Sequence, residues 1–350
     1  MTTPRERILA ALEHRTLDRI PICEQAIWPE TLQRWEKEGM PAGRDPVELY
    51  GLDNIVGLHP FDCSFFPHDI YEDNDEYCVD LNGQGTTVKW YKNRGSSSGH
   101  SELDHKVKTI EDWREAKSRL TVTSERFRPI PAYDKDRFVT ISALDHFWTS
   151  FTMFGMENMC LWLVGEPENL LEVYNDYTDF LIGMLDLCVA RKIEFDGVWF
   201  FSDMAYCGGP MFSPATYRQV IRPGYDRLRK WCSANSKYMF LHCDGNLDLL
   251  LPEFIETGFD MIHPLEARAG NDVRKIKGKY DGKITLMGNA NADILARGDR
   301  AEIEDEISSK ITVAKKGGGY IYNIDHSVPP TISFDSWTYA IELVKKYGKY

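Results

Sequence analysis

Residues 241–266 read LHCDGNLDLLLPEFIETGFDMIHPLE, and this stretch indicates the architecture of the whole chain. An apolar run ends in His242 and Asp244, a helical pattern follows and stops at Gly258, and a second apolar run ends in Glu266. Continuous apolar runs of this length are typical of strands that are buried on both faces, as in a parallel sheet. The stretch therefore predicts a strand–helix–strand unit with polar side chains at both strand ends.

The same alternation extends over most of the chain. Eight apolar runs, each ending in polar or acidic residues, occupy residues 19–24, 54–60, 138–146, 196–203, 237–244, 259–266, 283–291 and 319–326. Helical patterns lie between the later runs, at residues 167–192, 213–235, 246–258 and 300–319. Pro223 should kink or break the second helix. Eight strand candidates that alternate with helices predict an α/β fold of the (β/α)8 TIM barrel type, forming a single domain over residues 1–350.

Residues 61–136 interrupt this pattern. They alternate polar and apolar side chains and are rich in turn formers, so we expect an antiparallel insertion that contains a hairpin and covers one end of the barrel. Its most loop-like part is NRGSSSGH, residues 93–100.

The composition excludes several classes of function. The net charge is −13, with 41 Lys and Arg against 54 Asp and Glu, whereas a general nucleic-acid binder needs clustered cations. No uninterrupted apolar stretch reaches the roughly 18 residues of a membrane span, and the charged start has no apolar signal core. The eight cysteines form no Cys-x-x-Cys pair. We therefore expect a reduced, cytoplasmic protein that handles small molecules, without nucleic acid or membrane as a partner.

Polar residues at the predicted strand ends are the candidates for catalysis, because barrel active sites lie at the carboxyl ends of the strands. Side chains two apart on a strand share a face, so His242 and Asp244 should point together while Cys243 points away. A single strand-end carboxylate is more often a helix cap than a catalytic group, so the prediction depends on the whole set. The set comprises Glu24, His59, Asp145, His146, Asp203, His242, Asp244, Glu266, Asn289, Asn291, Asp325 and His326.

Four segments of the chain resemble a known family. They are RERILAALEHRTLDRIPICE (5–24), FDGVWFFSDMAYCGGPMFSPATYRQVIRPGYDRL (195–228), LHCDGNLDLLLPEFIETGFDMIHPLE (241–266) and LMGNANADILARGDRAEIEDEI (286–307). In order and spacing they are similar to the motifs of the uroporphyrinogen decarboxylase superfamily over almost the full chain. The resemblance implies one (β/α)8 barrel with its active site at the carboxyl ends of the strands.

The superfamily contains at least two chemistries, and the motifs distinguish them. True decarboxylases bind a tetrapyrrole octa-acid and have an Arg-Gln-Ala-Gly segment after the first strand, where this chain has Glu24-Gln25-Ala26-Ile27. A glutamate in place of the arginine would repel substrate carboxylates. The chain is more similar to the cobalamin-dependent methyltransferases, whose zinc motif is His-x-Cys with a distant cysteine near the last strand. By this resemblance His242 matches the histidine, Asp244 stands at the first cysteine and His326 at the second.

The resemblance implies a zinc site of His242, Asp244 and His326 whose nitrogen and oxygen ligands are harder than thiolates. Such a site suits an oxygen-containing substrate rather than a thiol. The expected reaction moves a methyl group from a small methylated donor to cob(I)alamin. The donor would be a methyl ether, for example an aromatic one, or a methylamine. The chain lacks the Asp-x-His-x-x-Gly segment of a built-in corrinoid domain, so the corrinoid should be free or, as we expect, delivered by a separate protein.

Under this hypothesis, the expected catalytic residues are His242, Asp203, Glu266 and His326. The expected substrate contacts are Glu24, His146, Trp148, Phe201, Tyr206 and Asn289. Two alternatives remain open. One is a metal-independent decarboxylase or lyase of a small carboxylic acid, in which Asp203 and the histidines act as acid and base. The other is a non-catalytic barrel that binds a corrinoid or a partner protein.

Overall fold

The computed structural model of the chain describes residues 2–92 and 99–350. The strands within these ranges are β1 (Val56–Leu58), β2 (Asp69–Asp73), β3 (Tyr77–Leu81), β4 (Thr86–Tyr91), β5 (Ser101–His105), β6 (Val139–Leu144), β7 (Gly197–Phe201), β8 (Ala205–Tyr206), β9 (Gly209–Pro210), β10 (Tyr238–His242), β11 (Met261–His263), β12 (Thr285–Met287) and β13 (Tyr320–Ile321). Seven of them form one parallel sheet in the order β1-β6-β7-β10-β11-β12-β13. Each predicted apolar run from residue 54 onward therefore contains a parallel strand.

Helices connect and cover these strands. They are α1 (Pro4–Leu12), α2 (Pro29–Lys37), α3 (Pro46–Leu49), α4 (Ile110–Ala116), α5 (His146–Phe154), α6 (Met156–Gly165), α7 (Pro167–Ala190), α8 (Pro214–Thr216), α9 (Arg222–Ala234), α10 (Leu251–Thr257), α11 (Val273–Tyr280), α12 (Ala292–Arg297), α13 (Arg300–Ala314) and α14 (Phe334–Tyr347). The helix predicted over 213–235 is interrupted by a π-helical turn at Tyr217–Ile221. Pro223 lies two residues after this turn, in the first turn of α9, so the irregularity lies where the proline predicted one.

The first of the eight predicted strands, residues 19–24, is not a regular strand. Its backbone lies between the two edges of the parallel sheet: Cys23 N donates to Tyr322 O (2.8 Å) just after β13, and Ile22 O accepts from Asp53 N (2.6 Å) just before β1. The proline of this run has no N–H to donate, which interrupts a ladder. The strand prediction is thus confirmed for seven runs, whereas this run forms only isolated bridges, among them a parallel one between Ile22 and Tyr322. A complete barrel stays a prediction.

The insertion is antiparallel, as predicted. Strands β2, β3, β4 and β5 form a four-stranded sheet in that order, and residues 93–98 of the loop-like run lie outside the described residues. The sheet contacts α5, because Thr86 Oγ1 donates to the carbonyl oxygen of Thr152. The insertion therefore packs beside the segment that follows β6.

The alternation of side chains along the parallel strands produces two hydrophobic clusters. Trp199, Phe240, Met261, Met287 and Ile321 belong to a cluster inside the curve of the sheet, and a larger cluster fills the space between the sheet and the helices. On β10, Phe240 faces inward while its neighbours in sequence face the helices. The next side chain on the inward face of β10 is that of His242, which therefore lies at the carboxyl end of the sheet. None of the helices in the described ranges is long and apolar enough to cross a bilayer.

Candidate active site

The carboxyl ends of three neighbouring strands bring the candidate residues together. In the parallel register His242, the last residue of β10, is level with Phe201 of β7 and His263 of β11. Asp203 and Asp244 each follow their strand by two residues, so they continue the same face. This end of the sheet is therefore the place where polar side chains converge.

An imidazole and two carboxylates form the centre of this group. His242 Nε2 lies 3.6 Å from Asp203 Oδ1 and 3.5 Å from Asp244 Oδ1. The backbone N of Asp244 donates to Asp203 Oδ1 at 3.2 Å, and His326 Nε2 lies 3.2 Å from Asp244 Oδ2. The structure thus brings together Asp203, His242, Asp244 and His326. Cys243 is buried on the opposite face, where its Sγ accepts from a backbone N–H.

The donor set fits a divalent metal. One ligand atom from each of Asp203, His242 and Asp244 lies within 4.8 Å of the others. Asp244 Oδ1 is buried and makes no hydrogen bond with any described residue, so its lone pairs are free to coordinate a metal ion. Nitrogen and carboxylate oxygen ligands are compatible with zinc. In this tightest group Asp203 takes the place predicted for His326, which contacts Asp244 instead.

Burial and the contacts with His242 and His326 shift the pKa values of the side chains in this group. Burial raises the pKa of Asp203, and the Asp244 carboxylate adds to that rise. Burial also acts to raise the pKa of Asp244, but the hydrogen bond with His326 and the charges of both histidines lower it overall. The same bond raises the pKa of His326. The arrangement therefore favours a charged pair between Asp244 and His326 beside a less acidic Asp203.

His263 contacts the ring of His242 and was not among the predicted site residues. The Nδ1 atoms of the two rings lie 2.8 Å apart, so one of them carries the proton. Only 5% of His263 is exposed, and burial together with the charge of His242 lowers its pKa well below the ordinary value. A neutral partner fixes the orientation of the His242 ring. Both strands end in a histidine, but only the pairing of β11 with β10 sets the two residues level.

A cavity of about 470 Å³ opens beside this group. The residues lining it are Gln25, Ala26, Ile55, Gly57, His59, Ser142, Phe201, His242, His263, His326 and Ser327. Of the predicted residues, His59, Phe201, His242 and His326 are among them. Gln25, Ser142 and Ser327 are additional residues: Gln25 and Ser327 lie in irregular backbone, and Ser142 is a polar residue inside β6.

A second cavity of about 530 Å³ lies at the other end of the sheet, around Arg5, Lys237 and Asp196. Its charged groups are largely used within the protein: Arg5 pairs with Asp196 at 2.7 Å, and Lys237 Nζ donates to a backbone carbonyl at 2.6 Å. We place the candidate active site at the first cavity, although it is smaller, because the imidazoles converge there beside the carboxylates.

Comparison with known proteins identifies the family of the chain. The family model for uroporphyrinogen decarboxylase matches residues 3–347. The chain belongs to the uroporphyrinogen decarboxylase family. Among solved structures, a methyltransferase from Methanosarcina mazei is similar to the chain with a TM-score of 0.64, over 99% of both chains and at 16% sequence identity. At that identity the likeness shows the fold. No curated protein sequence matches the chain significantly.

The family resemblance predicted from the motifs is confirmed, and the structure also shows which predicted residues of this family member face the cavity. Glu266 does not line it, although it lies close by, with Oε2 accepting from Gly245 N at 2.8 Å. Trp148 stacks on Phe151 with ring centroids 4.8 Å apart, and Tyr206 is 56% exposed. None of these three side chains lines the cavity.

Three predicted substrate contacts are buried in the wall of the protein. Glu24 is 1% exposed, and its Oε1 accepts from Trp337 Nε1 at 3.2 Å. His146 Nε2 lies 2.9 Å from a backbone carbonyl oxygen, and Asn289 Nδ2 donates to two backbone carbonyls at 2.7 and 2.9 Å. His146 Nδ1 has no hydrogen-bond partner among the described residues, but none of the three side chains lines the cavity. This placement does not support a role for Glu24, His146 or Asn289 in binding substrate.

Proposed function

We propose that this chain is a methyltransferase that moves a methyl group from a small methylated oxygen compound to cob(I)alamin, delivered by a separate corrinoid protein. The observation that carries the proposal is the group of Asp203, His242, Asp244 and His326 beside a cavity of about 470 Å³. A cavity of this size suits a small molecule. Membership of the family and the likeness to a methyltransferase support the same reading.

The lining of the cavity argues against a tetrapyrrole octa-acid. Among the residues that the structure describes there, none is lysine or arginine. Recognition of several carboxylates requires such cations, preferably in bidentate pairs. Glu24, which stands where decarboxylases have an arginine, is turned into the wall. Decarboxylation of uroporphyrinogen is therefore not the function we propose.

Each residue has a distinct task in the proposed reaction. The electron pair of cob(I)alamin forms a bond to the methyl carbon while the carbon–oxygen bond of the donor breaks and leaves its pair on oxygen. His326 lies at the cavity wall and is placed to give that oxygen a proton. His242 is held in orientation by His263. A zinc ion held by Asp203, His242 and Asp244 would supply Lewis acidity toward the donor oxygen.

Methyl transfer can be followed directly. Purified protein is mixed with cob(I)alamin and a panel of methyl ethers under anaerobic conditions, and methylcobalamin is detected by its visible spectrum. We expect formation of methylcobalamin with at least one donor, and a loss of at least ~100-fold in His242→Ala. The matched control is His100→Ala, which changes an exposed histidine away from the cavity.

Two results would contradict the proposal. No methylcobalamin from any donor would exclude the reaction. Carbon dioxide release from small acids by metal-stripped protein would instead favour the decarboxylase or lyase alternative.

A further inference from the structure

The second cavity, of about 530 Å³, is lined by more cations than carboxylates. The charged residues that the structure describes in its wall are Arg5, Lys135, Arg137, Lys192 and Lys237 against Glu194 and Asp196. Five positive and two negative side chains give the wall a formal charge of +3, in a chain whose net charge is −13. Cations gathered in one concave place, against the charge of the whole chain, indicate a site for an anion.

Two of the five cations are neutralised by the two carboxylates of the wall. Arg5 pairs with Asp196 at 2.7 Å, and Lys135 pairs with Glu194 at 2.7 Å. Both distances are those of charge-assisted hydrogen bonds, so these four side chains balance each other. The excess positive charge therefore belongs to the other three cations.

These three cations have no close carboxylate partner. Arg137 Nη1 donates to two backbone carbonyl oxygens at 3.1 and 3.5 Å, and its Nε lies 3.9 Å from the exposed carboxylate of Asp134. Lys237 Nζ donates to one backbone carbonyl oxygen at 2.6 Å, which uses one of its three N–H groups. Among the described residues, the ammonium of Lys192 makes no hydrogen bond or ion pair. Donors of all three side chains therefore remain for a bound anion.

The three cations come from separate segments that meet at the amino ends of the parallel strands. Arg137 precedes β6, Lys192 follows α7, and Lys237 precedes β10. Lys192 has φ 57°, in the left-handed region where glycine is the usual residue after a helix. Residues other than glycine in this region cluster at binding sites. The backbone of Lys192 is thus a second observation that points to this cavity.

We propose that the second cavity binds a small molecule through a diphosphate group, which pairs with Arg137, Lys192 and Lys237. A single phosphate carries about −1.5 to −2 charges at pH 7, so it would leave part of the excess positive charge unmatched. Two of the three cations are lysines, which bind phosphate as point charges, whereas carboxylates are best matched by the fork of arginine. Tyr133 and Ile193 are half-buried in the same wall and offer apolar surface to the rest of the molecule.

This site is separate from the candidate active site. None of the described residues that line the second cavity also lines the cavity beside the histidines. The inference therefore goes beyond the proposed methyl transfer and does not depend on it.

Binding can be measured with inorganic pyrophosphate by isothermal titration calorimetry of the full chain. Citrate, which carries its charges on carboxylates, serves as the comparison probe. We expect saturable binding of pyrophosphate with a dissociation constant below ~1 mM, and citrate binding that is at least ~5-fold weaker.

The variant Lys192→Gln removes an ammonium group that has no partner among the described residues, so the fold should be kept. We expect it to bind pyrophosphate ~10-fold more weakly, because one counter-charge is lost. Lys37→Gln removes the same charge at an exposed position of α2 and should bind like the wild type. Urea unfolding verifies that both variants are folded.

Three results would overturn the proposal. They are the absence of saturable pyrophosphate binding by the wild type, citrate binding as tight as that of pyrophosphate, and unchanged affinity in folded Lys192→Gln. The last result would place the bound anion elsewhere on the protein. Because the titrations use neither a corrinoid nor a methyl donor, they can fail while methyl transfer is observed, and the reverse.

Discussion

At the scale of single residues, Asp244 connects most of the candidate site. Its carboxylate contacts both His242 and His326, and its backbone N donates to Asp203. The sequence could predict that His242 and Asp244 share a face, because side chains two apart on a strand do so. It could not predict that Asp203 would join them, since that contact depends on how two separate strand ends are placed.

Removing the charge of Asp244 should weaken metal binding. We expect Asp244→Asn to bind zinc at least ~10-fold more weakly, because a neutral amide replaces a carboxylate ligand. Competition with a chromogenic chelator measures the affinity. Asp248→Asn in the same loop, at an exposed position, serves as the control and should bind zinc like the wild type. Equal zinc affinity in both variants would exclude Asp244 as a ligand.

Glu24 shows the limit of reasoning from strand ends. Its position suggested a substrate contact, but its carboxylate meets Trp337, which is 313 residues away in sequence. No local pattern contains that contact. The position of a residue at a strand end can be predicted from the sequence. The residue that its side chain contacts cannot, because that contact depends on how a distant helix packs, here α14 with Trp337.

Burial of Glu24 makes a prediction about pH. Burial raises the pKa of its carboxyl from 4.5 to about 8, against smaller lowering effects of its hydrogen bonds. The folded state therefore binds more protons than the unfolded state between these pH values, and the free energy of unfolding falls as the pH rises from about 4.5 to 8. Each unit of pKa corresponds to about 1.4 kcal/mol, and the rise is more than one unit, so the free energy of unfolding should fall by more than about 1.4 kcal/mol.

The variant Glu24→Gln should flatten this dependence, because a neutral amide has no proton to lose. Urea unfolding at pH 5, 6.5 and 8 measures it, and Glu342→Gln, at an exposed position of α14, should keep the slope of the wild type. An unchanged slope in Glu24→Gln would show that Glu24 is not the group responsible.

At the scale of elements, the site depends on the register of β7, β10 and β11. The parallel pairing sets Phe201, His242 and His263 level at one end. Apolar runs and helix patterns were sufficient to predict these strands and the helices between them. These patterns were not sufficient to predict that His263 contacts His242, because neither apolar run determines the register in which the two strands pair.

The turn after β12 requires glycine. Gly288 has φ 123°, and a Cβ there would lie 1.8 Å from the carbonyl oxygen of Pro264, just after β11. We expect Gly288→Ala to destabilise the fold by about 3 kcal/mol, because the backbone of one of the two segments must move. Thermal and urea unfolding measure the loss.

Gly278→Ala is the matched control. This glycine is exposed in α11, with no atom within 4 Å of a new Cβ, so alanine should stabilise the helix by about 0.5–1 kcal/mol. If both alanine variants were equally stable, the close approach of β11 and β12 would be contradicted.

At the scale of the whole molecule, family membership and the seven-stranded parallel sheet were predictable from ordered motifs and repeated apolar runs. The irregular backbone of residues 19–24 was not predictable, because it depends on single hydrogen bonds to the two edges of the sheet in place of a regular ladder. The cavity was also beyond the sequence, since its wall combines residues from Gln25 to Ser327. Its imidazoles beside carboxylates are the basis of the proposed chemistry.

The most direct test of the central claim is isotopic. The protein is given cob(I)alamin and a methyl ether whose methyl group carries three deuterium atoms, and the cobalamin product is analysed by mass spectrometry. We predict methylcobalamin that retains all three deuterium atoms, together with the demethylated alcohol or phenol in equal amount. Cobalamin without a labelled methyl group, for every ether that binds the cavity, would contradict the account.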